Sequence, residues 1–234
     1  MNSNGLMTVF NMIAEGIMRF AGANLLWIIF NLPMIIVGLK LLTIENPGGL
    51  FQVMTVLLIL TPFIFFPATS ALFGLVRKYK LRQDISIVKT FWNMYRENYL
   101  KSMIGGFIIV ILGTVVIVDY YMIVSITNFT LQALFILLVS LILVIILNFF
   151  SLVVHIELKT ISILKQACLI TFARPFQTIQ IAIVAWGIIF VSFNIFTFLI
   201  PFFFGSLIAY HSFHVFMKAY SKATSQQLTK RVDS

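Results

Sequence analysis

The sequence predicts an all-α membrane protein: six transmembrane helices arranged as three hairpins, with amphipathic cytoplasmic interfacial helices after the second and fourth spans. Three observations carry that reading. The 234-residue chain is 61% hydrophobic and only 10% charged, against about 45–50% and 25% in a soluble domain. Several stretches exceed the ~18 uncharged apolar residues that mark a membrane-spanning helix. The basic residues gather in two connections and the C-terminal tail, as the positive-inside rule requires of a multi-pass chain. A soluble fold of this size has too little interior to hide that much apolar surface. Residues 1–234 are therefore read as a single integral membrane domain.

The spans are expected near 22–40, 51–75, 103–124, 131–154, 178–197 and 201–220. The first follows MNSNGLMTVFNMIAEGIMRF, which holds Glu15 and Arg19. The run after it is too long for a cleaved signal and lacks a small-residue cleavage site, so it is expected to be retained. Pro33, Pro62 and Pro67 interrupt the first two spans. Proline removes an amide donor, and lipid cannot satisfy the freed carbonyl, which leaves Thr61, Thr69 and Ser70 as local hydroxyls able to help. This irregular pair is one expected place for a binding surface. The last two spans come from residues 175–217, a stretch without Lys, Arg, Asp or Glu. One helix of that length would reach about 60 Å, twice the ~30 Å hydrocarbon core. Pro201 and Gly205 offer a break. A single span followed by an inner-surface helix is the competing arrangement.

Charge decides the topology. Arg77, Lys78, Lys80, Arg82, Lys89, Arg96 and Lys101 crowd the connection after the second span, and Lys159, Lys165 and Arg174 follow the fourth. Lys218, Lys222, Lys230 and Arg231 lie in the tail. With six crossings, every one of the 16 basic residues except Lys40 falls on the cytoplasmic side, and both termini with them. The expected location is the plasma membrane. The basic excess is thus explained by topology and by attraction to anionic inner-leaflet lipid. Nucleic acid is not expected as a partner, since no binding motif accompanies the charge.

A phrase recurs. ISIVK at 85–89 returns as ISILK at 161–165, a spacing of 161 − 85 = 76 residues. The same shift lays the second span on the fourth and the third on the fifth, which suggests a hairpin repeat. Each phrase opens an amphipathic stretch. Val88, Phe91, Trp92, Tyr95 and Tyr99 share one helical face, with Asp84 or Ser86 available as a cap. Ile161, Leu164, Cys168 and Phe172 make the second stripe, which Pro175 ends. Such helices lie in the interface, as an inner-leaflet anchor or as a docking surface for another protein. Lys89, Trp92, Arg96 and Lys101 are the candidate docking residues.

Chemistry has little to work with. The acidic residues are Glu15, Glu45, Asp84, Glu97, Asp119, Glu157 and Asp233, and the one nearest a span, Asp119, reads as an interface residue. A proton-coupled transporter normally carries ionisable groups deeper than that. Asn24, Asn31, Thr69, Ser70, Asn148, His211 and His214 are the polar groups within spans. They serve either interhelical hydrogen bonds or a small polar cavity open to the inner side. His211 and His214 are spaced i, i+3, but two ligands are too few for a metal without His155 and Glu157. No triad order, HExxH, phosphate loop or CxxC is present. Cys168, the single cysteine, forms no intrachain disulfide. The chain is read as neither an enzyme nor a metal or cofactor protein.

NLLWIIFNLPMIIVG (24–38), FFPATSALFGLVRKY (65–79) and TFWNMYRENYLKS (90–102) together resemble the YesL family, bacterial integral membrane proteins classed as a domain of unknown function. Members are commonly encoded near carbohydrate ABC-transporter permeases, sugar-binding proteins and glycoside hydrolases. The resemblance implies a part in saccharide uptake or its regulation, and brings no established site residues. The expected function is that of an accessory or assembly partner in carbohydrate ABC-transporter uptake, with the lipid bilayer and permease subunits as partners. The alternatives are a stand-alone facilitator of a small neutral solute and a modulator of a sugar-responsive membrane sensor.

Overall fold

The structure, a computed structural model, describes residues 3–81, 83, 86–123 and 129–232, and these are helical without strands. The elements are α1 (Ser3–Leu39), α2 (Pro47–Leu60), α3 (Phe66–Lys80), α4 (Ile87–Ile123) and α5 (Phe129–Val153). They continue with α6 (Thr160–Ala173), α7 (Pro175–Asn194), α8 (Leu199–Phe202) and α9 (Phe204–Val232). Five segments are long and apolar enough to cross a membrane: Ala14–Leu42, Pro47–Lys80, Ile87–Val116, Phe129–Val153 and Pro175–Asn194. The expected Asp84 cap, Ile85 of the first repeated phrase and the outer connection at 124–128 lie outside the described residues.

The prolines do not break the first two spans. α1 runs through Pro33. Asn46 caps α2, its side chain accepting from the Gly49 amide with Pro47 at the first helical position. At Pro62 the chain widens into a π-helical turn over Thr61–Phe65, and the Phe66 amide reaches back to the Thr61 carbonyl. The Thr61 hydroxyl donates to the Leu57 carbonyl at 2.7 Å, supplying a donor close to the one proline removes. Pro62 and Pro67 are buried in the core, whereas Pro33 and Phe63 are exposed.

α3 is the centre of the bundle. Every residue from Phe66 to Val76 is buried, and α1, α4, α5 and α9 pack around it. Ala68, Ser70, Ala71 and Gly74 keep it thin, as close helix packing in lipid demands. On α4, a methyl group at Gly105 would run into the Phe149 ring, and one at Gly106 would come within 2.7 Å of Phe66. The aromatic core of Phe66, Phe73, Phe149 and Phe150 fills the space between α3 and α5.

One expectation about the amphipathic stretches changes. The 85–100 segment is not a separate interfacial helix: it is helical from Ile87 and continues unbroken into the third span. Its aromatic stripe seats on α1, where Phe30 meets Phe91, Trp92 and Tyr95. Phe91 is buried, whereas Val88 is 65% exposed. α6 is a separate short helix, as expected, and Pro175 starts α7 directly after it. It buries Ile163, Ala167 and Thr171. Of the expected stripe, Ile161 and Phe172 are exposed, as residues facing lipid would be, while Leu164 packs against the core.

α7 and α9 run antiparallel, with Phe193 against Phe204 at one end and Arg174 donating to the Ala219 carbonyl at the other. The anticipated break at Pro201–Gly205 is present as α8 and its junctions. It lies beside Asn24, Trp27 and Leu72 of α1 and α3. From Gly205 to His214, which meets Lys80 at the end of α3, is about 13 Å of helix.

Candidate functional site

The charged residues collect at one end of the bundle. Arg77, Lys78 and Lys80 occupy the last turn of α3, and the Tyr79 hydroxyl donates to the Arg19 carbonyl of α1 at 3.4 Å. The Lys80 ammonium contacts His214 Nδ1 and lies 5.5 Å from the centre of the Tyr210 ring. Lys89, Arg96 and Lys101 approach the same end along the first half of α4, and Lys159, Lys165 and Arg174 from the α6 region.

Of the four candidate docking residues, three present themselves outward. Lys89 and Arg96 are exposed. Trp92 is 48% exposed and stacks on Tyr95 at 5.9 Å. Lys101 differs: it is half-buried and lines a cavity of about 350 Å³. The cavity is walled by Arg77 of α3, by Glu97, Asn98 and Lys101 of α4, and by His155 and Glu157 of the α5–α6 connection. Arg77 Nε and His155 Nδ1 are both shielded from solvent and without a hydrogen-bond partner. Burial, with the Arg77 charge nearby, holds the His155 imidazole below its ordinary pKa range. His155 also packs edge-on against Phe213, Phe216 and Tyr220 of α9.

The polar residues proposed for a single cavity are divided among separate tasks. Asn24 donates to the Ile200 and Pro201 carbonyls at 2.9 and 2.8 Å, and its oxygen accepts from the Gly205 and Ser206 amides. One side chain thereby satisfies both sides of the α8–α9 break. Thr69 accepts from Trp27 Nε1, and Ser70 donates to the Pro67 carbonyl. Asn148 donates to Thr171 Oγ1, which donates in turn to the Ala167 carbonyl, tying α5 to α6. Asn31 donates to the Trp27 carbonyl, but its Oδ1 is buried and unpartnered, as is His211 Nε2. Among the described residues no group of three His, Cys, Asp or Glu side chains is placed to hold a metal. His155 faces Phe213 and Phe216 while His214 faces Lys80, so the four-ligand set weighed for a metal is not assembled.

From the sequence, Arg77 reads only as a topological charge and His155 only as one more ligand for a metal set. Glu97 and Lys101 are spaced i, i+4 on one helix, and His155 and Glu157 stand just beyond a span end, so each pair is visible alone. That the three segments converge is information only the fold holds.

Five apolar helices of membrane-spanning length, packed round α3, define a multi-pass helical membrane protein. Residues 20–120 match the family described as "Protein of unknown function, DUF624". The chain is 29% identical over 203 residues to the uncharacterized protein YteU of Bacillus subtilis (strain 168), covering 84% of this chain and 78% of that protein. It is 26% identical over 227 residues to the uncharacterized protein YesL of the same organism, covering 96% and 94%. The similarity to both proteins, with the family match over residues 20–120, is in keeping with the YesL resemblance carried by the motifs. No solved structure matches it.

Proposed function

We propose that this protein is an accessory or assembly partner in carbohydrate ABC-transporter uptake, docking a permease subunit through its basic end. The observation that carries the docking part is the exposed row Lys89, Trp92 and Arg96, on a helix that Phe91 and Tyr95 anchor to Phe30 and the core. An aromatic flanked by cations on a rigid element has the composition of an interaction hot spot. The carbohydrate part rests on the family resemblance alone. In this reading the chain sits in the plasma membrane with its basic end and both termini in the cytoplasm. It crosses six times as three hairpins, α7 and α9 forming the third. Their antiparallel packing returns the tail to the side of Arg174.

Co-purification from mild detergent tests this. A stoichiometric permease subunit should be retained by the wild type and lost in Lys89→Glu/Arg96→Glu, with membrane orientation verified because the change alters the positive-inside balance. Both residues are exposed, so the bundle itself should lose less than about 0.5 kcal/mol of stability. A histidine kinase in place of the permease would favour the sensor reading. The facilitator reading draws on one specific observation, the buried, unpartnered Asn31 Oδ1. Uptake of a neutral sugar into liposomes by the purified protein, abolished by Asn31→Leu, would replace the accessory reading with that one.

A further inference from the structure

We infer that the cavity between Arg77, Lys101 and His155 is a binding site for an oxyanion: a phosphate or carboxylate group on a solute or a lipid headgroup at the basic end.

Two buried nitrogens set the requirement. The Arg77 Nε–H donor has no acceptor in the protein, and His155 Nδ1, a donor in one tautomer of the ring, has no partner either. Buried donors without partners are costly and uncommon in folded chains. The nearby backbone does not supply one within hydrogen-bond reach. The cavity in front of them, about 350 Å³, is in the size range of small-ligand sites.

Charge is sorted by depth. Glu97 and Glu157 are exposed at the rim, where water and salt screen them. Arg77 and Lys101 are half-buried and His155 stands between them and α9, so the positive groups act through less solvent. Among the described residues neither carboxylate forms an ion pair with Arg77 or Lys101. The guanidinium is left free to make the paired, charge-assisted hydrogen bonds that suit phosphate and carboxylate oxygens. The rim carboxylates then favour a ligand that carries hydroxyl or amino groups beside its anion.

The purified full chain in phosphatidylcholine nanodiscs, titrated with inorganic phosphate against chloride at equal ionic strength, reads the site directly. Phosphate at about ten times its Kd should raise Tm by about 3 °C. Arg77→Gln and Lys101→Gln should each weaken the apparent affinity at least about tenfold, and Lys165→Gln, outside the cavity, should leave it unchanged. Lys101 is half-exposed, so its variant keeps the test decisive if Arg77→Gln does not fold. If phosphate has no effect but phosphatidylglycerol in the disc stabilises the wild type and neither variant, the oxyanion belongs to a lipid and the site stands. No stabilisation by either, or stabilisation that both variants retain, overturns the proposal.

Discussion

Asn24 shows how much one side chain can do where a helix is interrupted in lipid. Its four hydrogen bonds hold two carbonyls and two amides that no helix satisfies. Asn24→Leu should cost about 2–4 kcal/mol, since each buried polar group left alone costs about 1–3 and partial rescue by other groups is common in membranes. Asn24→Asp keeps an acceptor for Gly205 and Ser206 but faces the Ile200 and Pro201 carbonyls with a second oxygen, so it should be no milder. Thermal unfolding in detergent compares the two. Gly105→Ala should lose about 1–3 kcal/mol in the same assay, because the Phe149 ring occupies the space of the new methyl group. His155 gives a pH signature. Its folded pKa lies below the ordinary value near 6.5, so the unfolded chain takes up the proton first. Its contribution is fully present above about pH 6.5 and is lost as pH falls toward the folded pKa. A His155→Gln variant should show a shallower loss of Tm between pH 7 and 5 than the wild type.

At the scale of elements, the sequence was most legible where pattern and packing coincide. Phe91 and Tyr95 fall on the predicted face of α4 and do pack on Phe30. What the pattern could not tell was that nothing ends the helix between Tyr99 and Met103, so an expected surface segment became the base of a 37-residue helix. In α6 the pattern leaves the buried face open: Ile161 and Ile163 are equally apolar, and the fold buries Ile163. Completing a metal set on His211 and His214 would need His155, yet Lys80 and Phe213 draw His214 and His155 to different partners. Crossing number is tested by cysteine accessibility in a Cys168-free background. Position 45, between α1 and α2, should label from outside, and position 228 in α9 should not. External labelling of 228 in intact cells would refute the even number of passes after Arg174.

For the molecule as a whole, burial is unequal along its length. The inner core draws on α3 from Phe66 to Val76, the first part of α4, the end of α5, α6, and the first halves of α7 and α9. Ile111, Leu112, Val115, Leu134, Ile136 and Leu137, on the far parts of α4 and α5, are exposed side by side. Lipid solvates such surface without penalty, so the bundle needs tight packing at one end only. Loss of contacts at that end should therefore unfold the whole protein. A truncation after Arg174, which deletes α7–α9, should abolish cooperative thermal unfolding, detected as loss of a single transition by tryptophan fluorescence.

The clasp at Asn24 also has a consequence for biogenesis. A chain emerging from the ribosome delivers α1 to the bilayer long before residues 200–206 exist, and until both are present the interrupted stretch has no way to hide its backbone from hydrocarbon. The C-terminal pair should thus stay at the water boundary until it meets the first helix, making a join across 176 residues of sequence the closing step of insertion.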